Sequence, residues 1–268
     1  MRAFDWSHHE LGSPTTWPQS LKTAIRIILT SRQPMFAWWG SRLVNLYNDA
    51  YIPVLGGKHP AALGTYAPDI WHEIWHVIGP RAEQALSRDE GTYDEALLLI
   101  MERNGYVEET YFTFSYSPIV DEEGGYGGIF SPVTEETQRI IGERQLALLR
   151  ELSVRTADAR TWQDACTLSA AALATNPHDI YWALIYMIDA TSEAASDVAV
   201  LAAATGAEPG SRAAPLVVPL GDPGAAVECP WPLAAVAASM ASCTFWKAQA
   251  HEDPLPPLAA AALTYQME

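Results

Sequence analysis

Cysteine and positive charge are both scarce in this chain, and no apolar run is long enough to cross a bilayer. The only cysteines are Cys166, Cys229 and Cys243. They lack CxxC spacing and no histidine pattern accompanies them, which argues against a disulfide framework and a structural zinc site. A reducing cytoplasm is the simplest setting. Lys and Arg number 16 against 32 Asp and Glu, for a formal net charge of −16. Such a polyanion repels phosphate backbones and anionic lipid, so neither nucleic acid nor a membrane is an expected partner. The longest weakly polar stretch, 232–246, is Ala-rich and too short for a span. The N-terminal MRAFDWSHHELG has no apolar signal core.

What is present is a globular composition, 49% apolar and 18% charged, with 10 Trp and 11 Tyr. Large rings at that density favour a packed core or a ligand pocket. Four regions separate. Residues 1–33 are a polar lead-in and then a helix from Pro18, with Leu21, Ile25, Ile28 and Leu29 on one face. Residues 34–133 are mixed. PMFAWWG and RLVNLYN are strand-like, and short helices broken by Gly and Pro follow. ALLLIME, YVEETYFTFSYSPIV and GYGGIFSPV then complete an antiparallel set with a turn at DEEGG. In the second of these, Phe112, Phe114 and Tyr116 share one face and Tyr111, Thr113 and Ser115 the other. Pro68 and Pro80 bound a helix of about three turns. The order predicts an α+β plan.

Residues 134–160 read as one helix with Ile141, Leu148, Leu149 and Leu152 in a stripe. It either pairs with a second copy or lies on its own domain, at even weight. Residues 161–268 are Ala-rich. A helix at 161–175 stops at Asn176 and Pro177. Strands are expected in IYWALIYMID, DVAVLAAATG and APLVVPL, and a helix in LAAVAASMAS. LAAAALTYQME reads as a strand just begun, so a longer parent protein truncated at this point is expected.

Several segments carry a family resemblance. FDWSHHELGSPTTWPQSLKTAIRIIL resembles the lead-in of bacterial PAS-containing sensor histidine kinases. LVNLYNDAYIPVLGGKHPAALGTY, with Asn48, Ala50 and Gly64, and FTFSYSPIVDEEGGYGGIF continue that likeness. WQDACTLSAAALATNPHDIYWALIYMIDA is similar to the GAF domain that follows in many of these kinases. The family's usual Asp-Ile-Thr before the exit helix is replaced by Pro132, Val133 and Thr134, so the carboxylate at that step is missing.

The resemblance implies a PAS-like five-stranded antiparallel sheet with short helices over 34–133, a connecting helix at 134–160, and a partial GAF-like α+β domain at 161–268. It implies a sensory module of a two-component phosphorelay, cytoplasmic and homodimeric through the helix. A kinase core and a response regulator would lie outside the chain, which holds no catalytic domain of its own. PAS domains hold small molecules between the sheet and the short helices. Trp38, Tyr47, Tyr51, Trp71, Trp75, Tyr111 and Phe114 would line that space, though plain core is the leading reading of each. No cofactor is assigned. His59, His72 and His76 could ligate haem, although a lone His is more often a satisfied or exposed side chain, and no Cys precedes Cys166 for a flavin adduct.

Two motifs compete. HEIWH, His72 to His76, matches the zinc-peptidase pattern, with both histidines on one helical face and Glu73 as base. No third ligand follows and the flanking Trp71, Ile74 and Trp75 look packed, so a zinc hydrolase is a rival reading only. SHHELGSP resembles a kinase phospho-acceptor box around His9, but Gly12 and Pro14 break the helix that chemistry requires. A docking scaffold without ligand is a further rival. Gly124, Gly125, Gly127 and Gly128 read as turn glycines before a strand, which is no phosphate cradle.

Overall fold

A computed structural model describes Met1 and residues 4–88, 90–188 and 198–220. The chain forms two units, Met1–Ile141 and Gly142–Glu268. In the first, helix α1 (Gln19–Thr30) follows Pro18 and buries Leu21, Ala24, Ile25 and Ile28, the spacing of one helical face. It ends at extended Ser31, just short of Pro34. Strands β1 (Met35–Trp39) and β2 (Val44–Tyr47) follow. A 3-10 turn at Asp49–Tyr51 leads to helix α2 (Ile52–Leu55), and α3 (Ala67–Ile70) and α4 (Trp75–Arg88) complete the helical side. Strands β3 (Thr92–Glu102), β4 (Val107–Val120) and β5 (Tyr126–Glu135) close the sheet. Its order is β2-β1-β5-β4-β3, antiparallel throughout. This is the five-stranded α+β plan that the resemblance implies.

Strand β1 is buried on both faces, and its alternation sorts the core into two layers. Phe36 and Trp38 join β2's Tyr47 under the short helices. Ala37 and Trp39 join Val44 and Leu46 against α1 and the lead-in residues Trp6 and Trp17. Asn48, just past β2, clasps the junction between α1 and β1. Its Nδ2 donates to the carbonyls of Ile28, Ser31 and Gln33 at 3.1, 3.3 and 2.8 Å, and its Oδ1 accepts from Met35 N at 3.1 Å. His9 also belongs to this wrap. Its Nδ1 accepts from Leu11 N, which leaves Nε2–H to donate to Gly64 O at 2.8 Å, and the ring lies edge-on to Trp6. That engagement accounts for His9 without any phosphoryl chemistry.

Two details depart from the sequence reading, and a third adds to it. Pro80 does not end a helix; it lies inside α4 near its start, solvent-facing, where it forgoes one N–H bond. Of the four glycines read as turn residues, only Gly124 and Gly125 are in the turn. Gly127 and Gly128 stand in β5, where a Cβ would lie 2.4 Å from the Trp39 ring and 2.2 Å from Trp38 O respectively. Pro132 sits in a central strand. The β4–β5 pairing skips from Phe114↔Val133 to Ser117↔Phe130 around it, as a residue without N–H requires.

Helix α5 (Thr137–Thr156) follows β5 directly, within the span 134–160 expected from the sequence. Leu148 is buried while Leu146, Leu149 and Val154 are exposed, so the expected stripe is only partly covered.

The second unit holds α6 (Trp162–Leu173), opened by a capping box between Thr161 and Asp164. Strands β6 (Ala183–Ile188), β7 (Val198–Thr205) and β8 (Val217–Pro219) form an antiparallel sheet in that order. Arg144 pairs with Asp179, which Asn176 also holds. Cys166 is buried and free. Cys229, Cys243 and the segments LAAVAASMAS and LAAAALTYQME lie outside the described residues.

Candidate functional site

A cavity of about 30 Å³ lies between the inner sheet face and the short helices. The sheet side is built by alternation. Phe36 and Trp38 come from β1, Leu99 and Met101 from β3, Phe112, Phe114 and Tyr116 from β4, and Val133 from β5. The helical side supplies Tyr51, Val54, Trp71, Ile74 and Ile78. The rings pack on one another: Phe36 lies 4.8 Å from Trp38 and 5.2 Å from Tyr51, and Tyr116 lies 5.1 Å from Trp38 and 4.9 Å from Phe114. Trp38 is fixed further by donating its Nε1–H to Asn45 Oδ1 at 3.1 Å, and Asn45 is itself held by Ala62 O.

Of the seven residues expected to line such a space, Trp38, Tyr51, Trp71 and Phe114 do so. Three are placed elsewhere. Tyr47 is buried beside Tyr51, but its hydroxyl bonds His59 Nδ1 at 2.9 Å outside the cavity. Trp75 is half-buried behind Trp38, ring to ring at 5.7 Å. Tyr111 is on the opposite sheet face, with its hydroxyl on Glu109 Oε1 at 2.7 Å. Period-two alternation separates Tyr111 from Phe114. The same rule selects Phe112 and Tyr116, which the expectation passed over.

Burial raises the phenols of Tyr51 and Tyr116 well above their ordinary range, with Tyr47 adding to the rise of Tyr51 and Tyr51 to that of Tyr116. Both are therefore neutral donors at physiological pH. No charged side chain lines the cavity. Arg81, near Tyr116, is held by Asp94 through two 2.8 Å contacts from Nε.

The HEIWH segment does not build a metal site. Residues 71–74 are turns and α4 begins only at Trp75, so His72 and His76 do not share a helical turn. Glu73 turns toward Lys58, 2.5 Å away, which also caps Ile70 O. His72 is exposed and 3.5 Å from Glu73 Oε2. Among the described residues no group of three His, Cys, Asp or Glu could hold a metal ion.

Directly beside the cavity is a second feature that the sequence did not announce. Two residues past Met101, Arg103 gathers four parts of the domain. Its guanidinium donates to Glu135 Oε2 and Oε1 at 2.9 and 2.7 Å, to Glu108 at 3.3 Å and to Pro53 O at 3.4 Å. Its carbonyl accepts from Gly57 N at 2.7 Å. Gly56 sits so close that a Cβ there would be 2.8 Å from that same carbonyl, at a φ of +55°, a conformation suited to glycine. Glu135 Oε1 then accepts from Thr137 Oγ1 at 3.0 Å, and Tyr111 N donates to Thr137 Oγ1 at 3.0 Å. Thr113 bonds Glu136 in the next step. Glu135 and Glu136 thus place two hydrogen-bonded carboxylates between the end of β5 and the start of α5.

No protein-family model matches the chain, and no curated protein matches it. Solved structures do. The PAS domain of Bordetella pertussis BvgS is 19% identical, with 50% of this chain covering 99% of that one at a TM-score of 0.32. A PAS domain from Colwellia psychrerythraea is 12% identical, with coverages of 44% and 98% and a TM-score of 0.36. A sensory box sensor histidine kinase from Vibrio cholerae is 13% identical, with coverages of 43% and 87% and a TM-score of 0.29. The fold rests on the chain's own sheet order, β2-β1-β5-β4-β3 with short helices beside it. The fold class is PAS-like α+β.

Proposed function

We propose that this chain is the sensory and regulatory part of a two-component sensor histidine kinase. Residues 34–133 are its PAS-type sensor, 134–160 the signalling helix and 161–268 a GAF-like domain, working in the cytoplasm as a homodimer. A kinase core and a response regulator complete the phosphorelay. The observation that carries this reading is Arg103. Leu99 and Met101 wall the cavity on β3, and the same strand leads straight to the residue that grips Glu135 at the root of α5. A change of cavity occupancy that shifts β3 also shifts that grip, so two arrangements of sheet and helix respond differently to a ligand. The exposed Leu146 and Leu149, one helical turn apart, support a second copy along the helix.

Filling the cavity tests this. Val54→Leu adds one methylene to a wall of a space of about 30 Å³ and imitates occupancy at modest strain. Amide hydrogen exchange over residues 134–146 is then expected to change in the full chain. In Arg103→Gln the same substitution should leave it unchanged. A Val54→Leu variant that alters stability while exchange at 134–146 stays as in the parent would refute the coupling.

A further inference from the structure

Two polar groups in the cavity have nothing to bind. Tyr51 and Tyr116 are 4% and 3% exposed and both line the space, one from the turn after β2 and one from β4. Neither hydroxyl makes a hydrogen bond with a described residue. Tyr47, a few residues from Tyr51 but not in the cavity wall, has its hydroxyl on His59. Buried tyrosine hydroxyls almost always find partners. Two orphans on a single cavity are therefore a site for a molecule rather than an oversight of packing. The remaining wall is apolar; the Phe36 ring packs near both phenols, at 5.2 Å from Tyr51 and edge-on at 6.2 Å from Tyr116, and Trp38 packs against Tyr116 at 5.1 Å.

We propose that the cavity takes a small neutral molecule, a single ring or smaller, whose hydrogen-bond acceptor receives the hydroxyl of Tyr51, Tyr116 or both. The consequence of binding for α5 rests on the sensory reading above, but the ligand class does not. Neutrality follows from the wall, since an anion would be buried with no cation to meet it. The ring follows from the aromatic faces, against which a flat body stacks. Size follows from volume. The space of about 30 Å³ is room for one or two water-sized groups. A ring therefore needs more room and pushes aside Met101, whose unbranched thioether repacks easily. The acceptor follows from the two phenols, because a site built on hydrogen bonding discriminates against an analogue that lacks the partner atom.

The test uses the full chain with 13C-labelled methionine methyl groups, Met101 being assigned by Met101→Leu. It is titrated with acetophenone, with ethylbenzene as the counterpart lacking an acceptor, and with benzoate as the anion. Acetophenone is expected to shift the Met101 methyl resonance. Ethylbenzene should bind about tenfold more weakly, and benzoate should leave Met101 unmoved. The double variant Tyr51→Phe/Tyr116→Phe removes only unpaired hydroxyls and keeps the fold, and in it the two neutral probes should bind alike. The ligand class is overturned if ethylbenzene matches acetophenone in the parent chain, if the double variant keeps the preference, if benzoate binds best, or if no probe moves Met101. Binding without altered exchange at 134–146 would leave this assignment standing and remove the sensory reading instead.

Discussion

Asn48 is the place where the loss of a single amide should cost the domain most. The side chain is 3% exposed and shares its two N–H groups among the carbonyls of Ile28, Ser31 and Gln33, while its oxygen takes the Met35 N–H. Asn48→Ala deletes at least three hydrogen bonds at about 1 kcal/mol each and strands the Met35 donor, for a loss of about 3–4 kcal/mol. Against a typical total of roughly 5–15 kcal/mol, that is a large fraction. With a urea slope of about 2 kcal/mol/M, the midpoint of the unit containing Asn48 should fall by roughly 1.5–2 M with the slope unchanged. Asn48→Asp should be no milder, because it keeps the acceptor for Met35 but turns a carboxylate toward three carbonyl oxygens. Hydrogen exchange over residues 19–30 should quicken in both variants, since the clasp holds the end of α1. A loss below about 1 kcal/mol for Asn48→Ala would show that water replaces the amide, and the account of the clasp would be wrong.

A double-mutant cycle over Arg103→Met and Glu135→Gln should give a coupling of about 1–3 kcal/mol in urea denaturation, because Arg103 is shielded while Glu135 keeps partial solvent access; a coupling near zero would reduce the pair to a surface contact. Gly128→Ala should cost about 3–5 kcal/mol, since its Cβ meets the backbone of Trp38 and Trp39. Gly142→Ala, in open space on α5, should gain about 0.5–1 kcal/mol in the same assay. Alkaline pH should unfold the first unit. Burial, with the charge of Asp49 added, pushes the Tyr47 phenol from 10.0 up to about 12. The neutral form is thus the one the fold prefers, and its stabilisation is whole below pH 10.0 and lost as pH rises through about 12. Phenolate absorbance should appear together with unfolding, and Tyr47→Phe should move that transition to higher pH.

The sheet was legible because its strands alternate. Phe112, Phe114 and Tyr116 could be placed on one face from spacing alone, and Asp121 to Gly125 could be read as a turn from composition. The cavity wall was only half legible. Choosing rings by type brought in Tyr111, whose position in the alternation puts it on the wrong face, and omitted Leu99, Met101 and Val133, which are ordinary core residues until the helices close over them. Arg103 was invisible for another reason. Its partners Pro53, Glu108 and Glu135 are scattered along the chain and meet only through the β3–β4 turn, so no local pattern marks it. HEIWH misled in the opposite direction. Its spacing presumes a helix, and local packing of Trp71 and Ile74 holds that segment in turns instead.

The lead-in and α1 occupy the outer surface of β1 and β2, where Trp6, Trp17 and Ile28 shut Trp39, Val44 and Leu46 away from water. A fragment begun at Met35 would lay those side chains bare and should clump on expression, so any shortened version meant for crystals or screening has to keep the first thirty-odd residues. Leu98 and Ile100, on β3, stay exposed beyond that blanket. A neighbour that docks on the sheet from outside can therefore reach the β3 side directly, but reaches β1 and β2 only by peeling the N-terminal wrap away first.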